Sequence, residues 1–177
     1  MRWTLMVLCA VCLAVAVGSE AYGTTAQYQV AGSVDDAATT SSGCNYLTAN
    51  IYFPYGYGGR PGFFRWAIDV PAGATITSAH LKVNAHETSS AAAVARLQLL
   101  DFDNCPALNS PNPYYYSTTA GYVDWTLSGG WTAGDWYTSP DIGGIVQEFI
   151  DRPGYSPGNY LGLKQDQASG GTRQVRQ

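Results

Sequence analysis

Charge and histidine are scarce in this chain of 177 residues, and each scarcity excludes a class of function. Charged residues make up 12% of the sequence and the formal net charge is −4 at pH 7. Nothing in that balance attracts a polyanion, so nucleic acid is not an expected partner. The two histidines, His80 and His86, fall on one face of a single alternating stretch. At ~3.3 Å per residue they stand about 20 Å apart, too far to share a metal or act on one bond. No G-x-S-x-G is present, and His86-Glu87 is not followed by the second histidine of a zinc-protease motif. The glycine-rich stretch Gly56 to Gly62 precedes a strand and not a helix, so it offers phosphate no helix N-terminus. A glycosidase would need two opposed carboxylates, and Glu148 is expected on the wet side of a helix whose buried side holds Ile145 and Phe149. The chain therefore reads as non-enzymatic.

Long apolar runs are also lacking, save one at the start. Arg2 is followed by an apolar run from Leu5 to Val17 and then by small residues, the pattern of a secretory signal peptide. The run is shorter than the ~20 residues a bilayer span needs. Cleavage after Gly18 and cleavage after Gly23 both fit the small residues; residues 1–23 are taken as the signal, and 24–177 as one module. The product is expected outside the cell or on its surface, with no membrane span. Neither Cys9 nor Cys12 follows a small residue, which argues against a lipid-modified cysteine. Cys44 and Cys105 then remain in an oxidising compartment. They are expected to form a disulfide closing a loop of about 60 residues, worth roughly 3 to 4 kcal/mol in the chain-entropy model.

Short alternating runs fill the rest. Strands are expected at Tyr28 to Val34, Tyr46 to Phe53, Phe63 to Val70, Ala79 to Glu87 and Val94 to Phe102. Asp35 to Gly43 reads as polar and turn-like, and Pro71-Ala72-Gly73-Ala74 as a turn. One segment has helical spacing instead: Ile142, Ile145, Val146, Phe149 and Ile150 share a face, with Ser139 as N-cap, Pro140 at the first position and Pro153 as the stop. The fold class expected is all-β, a jelly-roll-like antiparallel β-sandwich with one short amphipathic helix.

Two stretches carry a family resemblance. Phe64-Arg65-Trp66-Ala67-Ile68-Asp69-Val70-Pro71-Ala72-Gly73-Ala74-Thr75-Ile76-Thr77-Ser78-Ala79, continuing to Val83, resembles the core motif of DNRLRE-type modules. Ile145-Val146-Gln147-Glu148 with Asn159-Tyr160-Leu161-Gly162-Leu163-Lys164 resembles that family's helix and following strand. The resemblance implies a secreted, carbohydrate-binding-module-like β-sandwich with no catalytic residues to carry over. It also implies a further closing strand beyond Gln177, so the sheet edge left by Thr172 to Gln177 is expected to be unpaired.

Two groups of side chains could bind something. Alternation puts Asp101 and Asp103 on the face of Leu97 and Leu99, where, with the Asn104 amide, they offer hard oxygen ligands for Ca2+. If the strand ends at Leu100, the same acids lie in a turn. Aromatic residues cluster at turns: Tyr55 and Tyr57 in the glycine-rich loop, and Tyr114, Tyr115 and Tyr116 after Pro113. Rings with a polar handle suit the C–H faces and hydroxyls of a sugar, so extracellular polysaccharide is the expected partner. The alternative is a structural, self-associating surface subunit built by strand donation from residues 24–34.

Overall fold

The computed structural model describes residues 6–11, 24–32, 34–45, 50–54, 61–109 and 111–176. Among the described residues the fold is all-β and antiparallel, with one α-helix. A four-stranded sheet has the order β10 (Trp136–Thr138), β7 (Ser78–Asn84), β1 (Met6–Val11), β2 (Thr24–Gln29). A six-stranded sheet has the order β4 (Gly43–Asn45), β3 (Asp36–Thr40), β6 (Gly62–Ala67), β11 (Tyr160–Gly170), β8 (Ala93–Leu100), β9 (Thr118–Leu127). A third pair joins β12 (Arg173–Arg176) to β5 (Asn50–Phe53), and a bridge from Val175 to Ala85 ties it to the end of β7.

Alternation decides which side chains meet between the sheets. In β7 Ala79, Leu81 and Val83 are buried, and in β8 Ala95, Leu97 and Leu99 are fully buried, so both strands turn one face to the main core. Phe64 and Trp66 of β6 and Leu161 and Leu163 of β11 join them. Phe63, one residue out of phase, points to the opposite face and forms a second cluster with Ala37, Leu100, Cys105 and Leu108. Gly162 makes room for this second cluster. A Cβ there would stand 2.6 Å from Cys105 Sγ and 2.9 Å from Leu100 Cδ1, so only glycine lets the 101–108 segment lie on the sheet.

The helix α1 (Gly143–Ile150) buries Ile145, Val146, Phe149 and Ile150, the face its spacing indicates. Its start differs from the expectation. Ile142 is the N-cap and no side chain caps it. Ser139 instead accepts the Leu81 backbone N–H at 2.9 Å, and Asp141 Oδ1 accepts from Ala79 N at 2.9 Å and Gly143 N at 2.8 Å. Those hydrogen bonds, that from Ala79 first, hold the Asp141 carboxyl below the usual carboxylate range. Gln147 then fixes the helix to the preceding turn, accepting from Ile76 N at 2.7 Å and donating to Ala74 O at 3.0 Å. The turn itself is as expected, with Ala74 N bonded to Pro71 O and Gly73 at a φ of 77°.

Three further expectations are corrected. Asp35 to Gly43 is not a turn: Asp36 to Thr40 is a strand, pairing Asp36 with Phe64 and Ala38 with Gly62, and Ala37, Ala38 and Thr39 are buried. The strand expected at Tyr28 to Val34 ends at Gln29, and the chain bends at Gly32, whose carbonyl accepts from Asp35 N. The C-terminal segment is paired and not left as a bare edge. Residues Arg173 to Arg176 pair with β5, and Val175 is fully buried in the core. Part of the expected signal segment, Met6–Val11, is a strand between β2 and β7; the remainder of 1–23 lies outside the described residues.

Candidate functional site

The expected tyrosine run sits on a short 3-10 turn, Pro113–Tyr115. Proline at its first position supplies the φ the turn needs. Asn112 caps it, accepting the Tyr114 N–H at 3.0 Å and donating to Thr40 O at 2.8 Å. Tyr115 OH donates to Ser41 O at 2.7 Å, so the turn is pinned to the β3–β4 hairpin at two points, Thr40 and Ser41. The rings of Tyr114 and Tyr115 stand edge to face at 5.3 Å and are 40% and 68% exposed. They form a fixed, solvent-facing aromatic pair.

Tyr116 does not join them. Its ring packs edge to face on Phe102 at 4.9 Å and its hydroxyl donates to Pro111 O at 3.1 Å, so it anchors the loop. Tyr55 and Tyr57 lie outside the described residues. Pro61, which follows that segment, accepts from Thr39 N in β3, next to the hairpin that holds Tyr115.

Exposed Tyr122 on β9 is a residue that reading for loop aromatics misses, because it lies in a strand. The register aligns Tyr122 with Gln98 and Lys164, and Asp124 with Arg96 and Asp166, on one outer sheet face. Arg96 lies 3.9 Å over the Tyr122 ring and grips Asp124 at 2.8 and 2.9 Å, while Lys164 pairs with Asp166 at 2.8 Å. The hydrogen bonds from Arg96 lower the Asp124 pKa. This face is satisfied internally, and one side of its ring already carries a cation.

Asp101, Asp103 and Asn104, the expected calcium ligands, have protein partners here. The strand ends at Leu100, the acids are about half exposed, and Arg152 binds both, at 2.8 Å to Asp101 and 2.7 Å to Asp103. The Asn104 amide oxygen accepts from Tyr160 N at 2.9 Å. One guanidinium and one backbone N–H thus take one oxygen of each of the three side chains. Among the described residues, no group of three or more His, Cys, Asp or Glu is placed to hold a metal ion.

The expected disulfide is also corrected. Cys105 is a free thiol, 1% exposed, lodged against Phe63, Leu100 and Leu108. Burial pushes it up to about 12, with the Arg65 charge opposing. Cys44 is in β4 opposite Thr39. Spacing along the chain and the redox compartment say nothing of where the thiol points.

His80 Nδ1 lies 3.0 Å from Ser139 O, Glu148 is exposed on α1, and Trp125 and Trp131 are buried at 7% and 4%. Among the described residues, no helix is long and apolar enough to cross a membrane. Compared with models of known protein families, with curated proteins and with solved structures, the chain matches none.

Proposed function

We propose that this protein is a secreted, non-catalytic binding module that holds extracellular polysaccharide on the Tyr114–Tyr115 turn. The observation that carries the reading is the pinned pair of exposed rings. An aromatic ring held rigid before binding loses little entropy on contact, and its apolar face matches the C–H face of a sugar. The site is small and exposed, which suits weak, repeated contacts along a polymer better than capture of one buried molecule. The resemblance of Phe64 to Val83 to carbohydrate-binding-like modules points the same way. A glycan array probed with the protein from residue 24 onward tests the proposal, together with an assay for reducing sugar released from the same glycans. Retention of a glycan without release supports it; release of sugar, or no retained glycan, contradicts it.

A second reading, a self-assembling surface subunit, is favoured by one observation. Met6–Val11 lies between β2 and β7 and is the sole strand partner of β2 among the described residues. Removing a signal at 1–23 would leave β7 with one bare edge and β2 as a free arm. A free arm and a bare edge in every copy are the two halves of strand exchange.

A further inference from the structure

The Tyr114–Tyr115 turn stands in a part of the chain without charge. Residues 37–59 and 104–123 contain no Asp, Glu, Lys, Arg or His, although charged residues make up 12% of the sequence, so the depletion is local. The first stretch holds the β3–β4 hairpin, and the second holds the turn that Asn112 and Tyr115 tie to it. The charges that bracket these stretches are already taken up. Asp35 pairs with Arg65 at 2.6 Å, Asp103 with Arg152 at 2.7 Å and Asp124 with Arg96 at 2.8 Å, while Asp36 is 1% exposed. Arg60 lies outside the described residues. Hydroxyls stand at the hairpin instead. Thr40 Oγ1 and Ser42 Oγ are 2.9 Å apart, on either side of the Ser41 carbonyl that receives the Tyr115 hydroxyl. A hydroxyl offers one donor and two acceptor positions, so the exposed Ser42 keeps capacity for a sugar hydroxyl.

An acidic sugar brought onto this turn would lose water from its carboxylate with no Arg or Lys of either stretch to meet it, and an amino sugar's ammonium would find no carboxylate there. A neutral sugar escapes that cost. Tyr122 shows the contrast, since its ring carries Arg96 and sits among ion pairs. The angle between the two tyrosine rings narrows the ligand further. They stand at 80° to one another with centroids 5.3 Å apart, so they form a corner and not a platform. A flat ribbon of sugars presents parallel ring faces, and two rings at 80° cannot both lie against it. A chain that turns from one sugar to the next can set one face on Tyr115, the more exposed ring, and bring its neighbour onto Tyr114.

We infer that the turn takes an uncharged, soluble polysaccharide with a bent chain, its sugar faces on Tyr115 and Tyr114 and its hydroxyls toward Ser42. This rests on the polysaccharide reading of the same turn and names the substrate class within it. Acidic polymers, amino-sugar polymers and flat crystalline surfaces are excluded.

The test is affinity electrophoresis of the folded protein in three neutral, bent polymers (laminarin, soluble starch and arabinoxylan) and three charged ones (alginate, polygalacturonate and glycol chitosan), with sedimentation on microcrystalline cellulose as the flat surface. Retention in at least one neutral gel is expected, changing by less than about twofold between about 20 and 500 mM salt. It should weaken about tenfold or more in Tyr114→Ala/Tyr115→Ala, whereas Arg60→Gln should bind as wild type does. Binding to a charged polymer or to cellulose that the double variant loses would overturn this inference and leave the tyrosine reading standing. Weakening by salt beyond about twofold, or by Arg60→Gln, would do the same. No retention by any polymer would overturn both. The salt series and Arg60→Gln leave the tyrosine turn intact, so the test does not depend on the double variant folding.

Discussion

Arg65 and Asp35 form an ion pair of 2.6 Å with both side chains almost closed to water. The same guanidinium donates to Cys105 O at 2.9 Å and lies 4.1 Å over the Tyr160 ring. One arginine thus ties β6 to the segment entering β3, to the 101–108 loop and to β11. Asp35→Ala leaves that charge unpaired and should cost about 3–5 kcal/mol of unfolding free energy, measured by urea denaturation. A loss below about 1 kcal/mol, the range of exposed pairs, would show that the pair is not buried in solution.

Cys105 gives a test that reverses the sequence-based expectation. Its thiol should resist alkylation in the folded protein and react only on unfolding, and a reductant should leave the contribution of Cys105 to Tm unchanged. The raised pKa also sets a sign. The folded protein holds the proton more tightly than the unfolded one, so this contribution to stability is full below about pH 9 and falls as pH rises toward about 12. A peptide map showing Cys105 in a disulfide would contradict the account.

Much of the fold was legible from short-range pattern, and the misses share one cause. The alternation of Leu81, Val83 and Ala85 and of Leu97 and Leu99 names the buried faces of β7 and β8 because burial on one side of a strand has a period of two. The buried face of α1 was legible for the same reason at helical spacing. Asp36-Ala37-Ala38-Thr39-Thr40 carries no such signal; it is a strand because β6 pairs with it and the second core covers it. Ser139 has the right type for a cap, yet the distant Leu81 N–H takes its oxygen. Of the candidate site, the exposed tyrosine pair was visible as a run after proline, whereas in the fold the complete burial of Arg173 was not. Its burial depends on carbonyls of Ala91, Leu127 and Gly129, which no local window contains.

Arg152 lies 51 and 49 residues beyond the acids it binds, Asp101 and Asp103, and its presence changes what calcium should do. Adding millimolar Ca2+ should not raise Tm in the wild-type protein. A rise of several degrees would mean that the carboxylates prefer the cation to the arginine.

Strand exchange has its own measurement. Light scattering of the chain from residue 24 should give a soluble, stable monomer if binding is the function. Ordered filaments that vanish when residues 24–34 are deleted would instead establish β2 as a donor, and with it the assembly reading.

The tyrosine turn is tested most directly by affinity electrophoresis in gels containing the polysaccharide that the array selects. Wild type should be retarded, while Tyr114→Ala/Tyr115→Ala should migrate as in an empty gel, a loss of about tenfold or more in affinity from two stacking contacts. The double variant should stay folded with Tm lowered by only a few degrees, the cost of the Tyr115–Ser41 hydrogen bond and the ring contact. Equal retardation of a folded double variant and the wild type would contradict the account.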